Sequence, residues 1–330
     1  MNVINNLLDT RYKSGDMKFE GNSAIYIYGA GNVGKELVKV LHEKGFRITG
    51  IIDQRGPTLD PIDGVEVIDL LELRRRNGNG VHSASCLMSI FNPYIDCEKI
   101  ESELRNHFQK VFSFPKVLWT FHKELGDRYW LTLPEFYADH ATKLEEVYLM
   151  LADERSKQLF LSNLEFRLRG EYELLGPPDL NNQYFPKDLP RWVEPIRLLD
   201  CGAYDGDTLR QVCGTDYPIE AFAAFEPDLS NFSKLVATAN DFNRLRPECR
   251  ERINIPCGVS NATKTLSFAS GLGTGSQLSS DGDVTIQCVA IDEVLPDFSP
   301  NLIKMDIEGA ELDALHGCRR TIEQIGRAHV

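Results

Sequence analysis

Residues 196–207, IRLLDCGAYDGD, constrain the chain most. Ile196, Leu198 and Leu199 form an apolar run that ends on Asp200, and Gly202 and Gly206 then bracket a turn into the next helix. This is the pattern of a parallel strand buried on both faces, feeding a ligand-binding crevice at its carboxyl end. About twenty residues on, a second apolar run, 222–225, meets Glu226, Pro227 and Asp228. An acid at the tip of the second strand of a doubly wound sheet can accept both hydroxyls of a ribose. The glycine turn meanwhile lets backbone N–H groups approach the ligand closely. A third acidic strand end follows in residues 301–311, NLIKMDIEGAE, where Asp306, Glu308 and Glu311 crowd the start of a helix. Three carboxylates so placed repel one another, which points to a ligand, a metal or a proton transfer.

In their order and spacing, LLDCGAYDGDT, AFEPD and LIKMDIEGAELDALHG resemble the FkbM family of S-adenosylmethionine-dependent methyltransferases, over roughly residues 153–324. The resemblance implies a class I methyltransferase domain acting on a hydroxyl of a sugar, glycan or secondary metabolite. Asp200, Gly202, Gly206 and Glu226 are then the expected cofactor contacts. Methyl transfer from a sulfonium needs alignment more than covalent help, because the leaving group departs as a neutral thioether. A hydroxyl acceptor must also lose its proton during attack, and Asp306 and Glu308 are the candidate bases. Glu311 reads either as a third base or as a helix-surface charge. Asp205 and Asp207 read as turn and cap residues with a chance of touching ligand, and His316 as structural. No metal triad is legible by spacing.

The amino-terminal half repeats the grammar. Residues 24–28 predict a strand, Gly29-Ala30-Gly31-Asn32-Val33-Gly34 a turn, and Leu37, Val38, Val40 and Leu41 a helix, before a strand at 48–52 ending on Asp53. This is GxGxxG in its strand-to-helix setting, with an acid downstream. Gly29, Gly31 and Gly34 would admit a pyrophosphate at the helix start and Asp53 would hold a ribose, so the expected ligand is NAD(H) or a nucleotide sugar. The alternative is that the glycines only pack helix on strand. A strand at 85–91, a helix at 100–108 and a short strand at 111–114 complete a domain ending near residue 120. No Tyr-x-x-x-Lys or Cys/His pair marks a hydride-transfer centre, so this half is not read as a dehydrogenase.

Between the halves, Leu144, Val147, Tyr148 and Leu151, and then Leu161, Leu164 and Leu168, recur at helical spacing, with Asp153 as the cap between two helices. Pro177, Pro178, Pro186 and Pro190 then enforce an irregular stretch carrying Tyr184 and Phe185, either a cover for the cofactor pocket or a linker. After the second strand come a helix at 229–242 and a strand at 253–259. Residues 263–269 and 284–290 alternate like an antiparallel excursion, joined by a glycine- and serine-rich loop at 271–282 that is a mobile lid or a solvated hairpin tip. A strand at 302–306 and a helix at 310–324 follow.

The expected fold is therefore α/β: two Rossmann-like doubly wound domains joined by a helical linker, with the methyltransferase sheet truncated. The segments are a polar stretch at 1–22, a nucleotide-binding domain at 23–120, the linker at 121–195 and an incomplete methyltransferase domain at 196–324. Residues 325–330, IGRAHV, are what ATC GGA AGA GCA CAC GTC encodes, a common sequencing adapter, so the natural chain is expected to continue past Gln324. The resemblance implies three further strands, without which the last one presents an open edge.

Charge narrows the partners. With 36 basic and 49 acidic residues among 330, the net charge of -13 opposes adhesion to nucleic acid or anionic lipid. No run approaches the roughly 18 apolar residues of a membrane span and the start is not a secretory leader, so a cytoplasmic protein is expected. The 8 cysteines are scattered without a CxxC pair, the pattern of reduced, mostly buried thiols. Two functional readings remain. One is a methyltransferase with a small-molecule or glycan acceptor. The other is an NAD(H)- or nucleotide-sugar-binding regulatory module carrying an inactive methyltransferase-like domain. The oligomeric state is left open.

Overall fold

Ile25–Tyr28 (β1) is buried at all four positions, as a strand flanked by strands and covered on both faces must be. In the computed structural model the chain forms two compact units, Met1–Pro178 and Asp179–Val330. The residues described are 3–19, 24–78, 81–92, 94–129, 131–176, 184–185, 193–269, 277–278 and 284–325. The four linker prolines, the expected loop at 271–282 apart from 277–278, and residues 326–330 lie outside them. Both units are α/β with parallel sheets, as expected.

In the first unit β1 pairs in parallel with Ile48–Ile52 (β2) and with Val81–Met88 (β4). Val67–Ile68 (β3) and Phe108–Phe112 (β5) extend the sheet to the order β3-β2-β1-β4-β5. The order reverses between β1 and β4, which opens a crevice at their carboxyl ends, where the Gly29 turn lies. Helix Asn32–Glu43 buries Leu37, Val38 and Leu41. The expected helix at 100–108 is Cys97–Arg105, capped by Asp96 through the N–H of Lys99 at 2.9 Å. Phe108 instead opens β5, and Phe114 starts helix Phe114–Thr120, with Pro115 in the first turn where it costs no hydrogen bond.

The helices expected of a linker belong to this first unit. Asp153 caps Glu154–Arg169 as read from sequence, accepting from the N–H of Ser156 at 2.8 Å. Leu164 and Leu168 of that helix bury against Ile4 and Leu8 of helix Val3–Asp9. The N–H of Tyr12 then donates to the Leu168 carbonyl at 2.8 Å. Residues 3–19, read from sequence as part of a polar stretch, thus join the core through spaced apolar positions that a polar composition hides.

In the second unit, Ile196–Cys201 (β6), Ile219–Phe225 (β7) and Glu251–Ile255 (β8) run parallel. The expected strand at 253–259 breaks at Pro256, which has no N–H for the ladder. Gly258–Val259 (β9) joins a second sheet with Lys264–Ala269 (β10), Gln277–Leu278 (β11) and Val284–Val289 (β12). β10 and β12 pair antiparallel, the expected excursion. Leu302–Met305 (β13) pairs with β6 at one edge of the first sheet, whose order is β13-β6-β7-β8.

Alternation sorts the core. Leu198, Phe222 and Ala224 pack on one face, Leu199, Ala223 and Phe225 on the other. The expected helix at 310–324 is two, Glu311–Gly317 and Arg319–Ile325. They meet where a Cβ on Gly317 would stand 2.0 Å from the Ser260 carbonyl oxygen. No described helix is long and apolar enough to cross a membrane.

Candidate functional site

The carboxyl ends of β6, β7 and β13 converge on a cleft of about 130 Å³. Gly202, Tyr204, Glu226, Asn231, Lys304, Asp306 and Glu308 line it, and Cys257, just before β9, with Ile286 and Cys288 of β12, closes one side. It lies where the strand order reverses between β6 and β13, the position that this topology reserves for ligands.

The turn after β6 requires its glycines. Gly202 has φ +80°, and a Cβ there would stand 2.0 Å from the Asp306 carbonyl oxygen. Gly206, at φ +87°, opens helix Asp207–Cys213, and a Cβ would press on Thr238 at 2.7 Å. Between them Tyr204 adopts φ +48°, a region costly to a non-glycine residue. Its N–H donates to Glu226 Oε2 at 2.9 Å, and the Asp228 N–H donates to Oε1 at 2.9 Å. Burial pushes the Glu226 carboxyl up to about 6, against the pull of these two N–H groups. Asp228 in turn caps helix Leu229–Leu245 by accepting from the N–H groups of Ser230 and Asn231.

The other acids divide into those that face the cleft and those that do not. Asp200 is fully buried and sits behind the turn. Its Oδ1 lies 3.3 Å from Lys304 Nζ, and the same ammonium donates to the Gly202 carbonyl at 2.5 Å. Burial raises the Asp200 carboxyl against the pull of Lys304. Burial also works to lower Lys304, but the neighbouring Asp200 carboxylate holds it above its ordinary value, so we take the pair as charged.

Asp306 is exposed at the rim and Glu308, at φ +54°, is half-buried. Burial, and then the charges of Asp306 and Glu311, raise the Glu308 carboxyl. Glu311 accepts from the N–H groups of Ile307 and Gly309, so it caps the turn. Asp205 is tied to Arg210 at 2.5 Å, and His316 is exposed. Asp207 lines the cleft, and its Oδ1 is buried without a partner among the described residues. The charges of Lys304, Asp207, Asp200 and Asp306 act on the Tyr184 hydroxyl, whose pKa burial raises, which sets this residue beside the same group of side chains.

The cleft therefore brings together Gly202, Glu226, Asp306 and Glu308, with Gly206 and Asp200 supporting it from behind. Sequence reading passed over Lys304, Tyr204 and Asn231, and did not foresee the wall from β12. Lys304 left one signal, a charged residue inside the apolar run before Asp306.

At the turn after β1, Gly29 has φ +109° and packs on Ser89 and Ile90, while a Cβ on Gly34 would stand 2.0 Å from the Gly29 carbonyl oxygen. Both glycines are demanded by packing. Gly31 faces open space. Asp53 accepts from the Ala30 N–H at 2.9 Å and from the Arg55 guanidinium at 2.9 and 3.1 Å. That guanidinium holds the Asp53 carboxyl down to about 2.

Against known proteins, residues 200–330 match the family model described as Methyltransferase FkbM domain. Residues 3–111 match that of Glutamate/Leucine/Phenylalanine/Valine dehydrogenase. Among solved structures the chain is similar to a methyltransferase FkbM from Methylobacillus flagellatus KT, with 21% identity and a TM-score of 0.72 over 98% of this chain and 86% of that one, a likeness of fold. No curated protein matches the chain.

Proposed function

We propose that the FkbM methyltransferase domain matched at residues 200–330 transfers a methyl group from S-adenosylmethionine to a hydroxyl of a sugar, glycan or secondary metabolite. The observation that carries this reading is the meeting of the Gly202 turn, Glu226, and the pair Asp306 and Glu308 around one cleft. The residues fit the cofactor. Gly202, with no room for a Cβ against the Asp306 carbonyl, sets the turn that borders the cleft. Each Glu226 oxygen spends one acceptor site on a backbone N–H and keeps another for a ribose hydroxyl. The acids on the lining suit a cation. When bound, the cofactor supplies an electrophilic methyl on a sulfonium.

Asp306 and Glu308 take the acceptor proton. Glu308, with its carboxyl raised by burial, is the better matched to a base working near neutrality. The half-open position of the pair leaves room for an acceptor at the rim. The first unit, with its glycine turn at the β1–β4 switch point, binds a nucleotide, NAD(H) or a nucleotide sugar.

Calorimetric titration of S-adenosylmethionine and, separately, NADH tests both statements. Binding of the former that disappears in Glu226→Ala supports the cofactor site. Binding of NADH alone would remove the methyltransferase reading.

A further inference from the structure

We propose that Lys304 anchors the carboxylate at the amino-acid end of the cofactor. The inference rests on the cleft being the S-adenosylmethionine site. Among the described lining residues Lys304 is the lone Lys or Arg, against Asp207, Glu226, Asp306 and Glu308. Four carboxylates suit a sulfonium and an ammonium. An ammonium of the protein's own, placed among them, would only repel such a ligand unless the ligand also carries an anionic oxygen.

The donor accounting agrees. The Lys304 side chain is 10% exposed and its ammonium has three N–H donors. One is spent on the Gly202 carbonyl at 2.5 Å and one faces Asp200 Oδ1 at 3.3 Å. No further partner holds the third among the described residues, and the side chain opens on the cleft. Asp200, fully buried beneath, keeps the lysine charged. The carboxylate is thereby directed to the Gly202 turn, whose backbone lines the cleft. A zwitterionic amino-acid end matches this arrangement: its ammonium meets Asp207, whose buried Oδ1 has no hydrogen-bond partner among the described residues, and its carboxylate meets Lys304.

Two ligands separate anchoring from mere support of the turn: S-adenosylmethionine and its decarboxylated analogue, S-adenosyl-3-methylthiopropylamine. Both are titrated into the wild-type chain, into Lys304→Arg and into the double variant Asp200→Asn with Lys304→Met, each followed by thermal denaturation. The double variant removes both charges together, so no buried charge is left unpaired. The wild type is expected to prefer S-adenosylmethionine about 10-fold or more, the size of a charge-assisted hydrogen bond. The double variant is expected to lose that preference, binding S-adenosylmethionine about 10-fold more weakly and the analogue as before. Lys304→Arg is expected to keep part of the preference.

Equal weakening of both ligands in the double variant would show that Lys304 only shapes the turn, and would overturn the proposal. A wild type that binds the analogue as tightly as S-adenosylmethionine would overturn it too, whether or not the variants fold. A folded wild type that binds neither ligand would instead sink the reading of the cleft, and this inference with it.

Discussion

Glu226 Oε2 accepts the N–H of Tyr204 at 2.9 Å, so the acid that ends β7 also fastens the strained turn that follows β6. In the proposed reading, ribose recognition and the shape of the glycine turn depend on one side chain. Glu226→Ala leaves the N–H groups of Tyr204 and Asp228 without this partner and removes the proposed acceptor of the ribose hydroxyls. S-adenosylmethionine affinity is expected to fall about 100-fold, two charge-assisted hydrogen bonds' worth. Calorimetry on a variant that still unfolds cooperatively checks it, and an affinity within a few-fold of wild type would count against the site.

The same group sets a pH dependence. Burial raises the Glu226 carboxyl from 4.5 to about 6, so between these values the folded state holds more protons than the unfolded one. Stability therefore falls as pH rises through that interval, by on the order of 2 kcal/mol. Cofactor affinity moves the other way, rising through pH about 6 as the carboxylate becomes a full acceptor. Titrations at stepped pH should show this rise in wild type and a flat profile in Glu226→Gln.

In the proposed reading Asp306 and Glu308 act on the acceptor proton, beyond the contacts that hold the cofactor. Asp306→Asn and Glu308→Gln are expected to lower turnover by about 10² to 10⁴-fold, the usual range for a lost general base. S-adenosylmethionine binding should change only a few-fold. A parallel loss of binding would place these acids in the cofactor site instead.

In the first unit, Gly34 and Gly31 separate packing from binding. Gly34→Ala would place a Cβ 2.0 Å from the Gly29 carbonyl oxygen, and a loss of about 2 to 3 kcal/mol is expected from the backbone shift. Gly31→Ala meets open space at an ordinary φ of -74° and should leave thermal stability within about 0.5 kcal/mol. If that turn receives a pyrophosphate, Gly31→Ala weakens NADH or nucleotide-sugar binding while the fold stands. Unchanged affinity for every ligand that binds would make the turn a packing device.

The glycines of both turns were legible because their requirement is local. A backbone at positive φ strains a residue with a Cβ, and one pressed against a carbonyl leaves no room for it; Gly29, Gly34, Gly202 and Gly206 each meet one of these conditions. The Asp153 cap was legible for the same reason, since its partner, Ser156, lies three residues away. Acids at strand tips were visible too, but not their duties. Asp200 and Glu226 look alike in sequence, each closing an apolar strand. One is buried behind the turn on Lys304, and the other lines the cleft.

What the sequence determined by itself was the alternation of strand, glycine turn and helix, and the positions of the acids that end the strands. These follow from side-chain period and backbone sterics within a few residues. Tertiary structure alone decided that Val3–Asp9 packs on Glu154–Arg169, that the strand interrupted at Pro256 changes sheet, and that Ile286 and Cys288 wall the cleft. It also decided that Lys304 serves Asp200 and Gly202, partners about a hundred residues away. Such contacts depend on which strands become neighbours, and that order is set by how the whole sheet buries its two faces, a property no local window of residues contains.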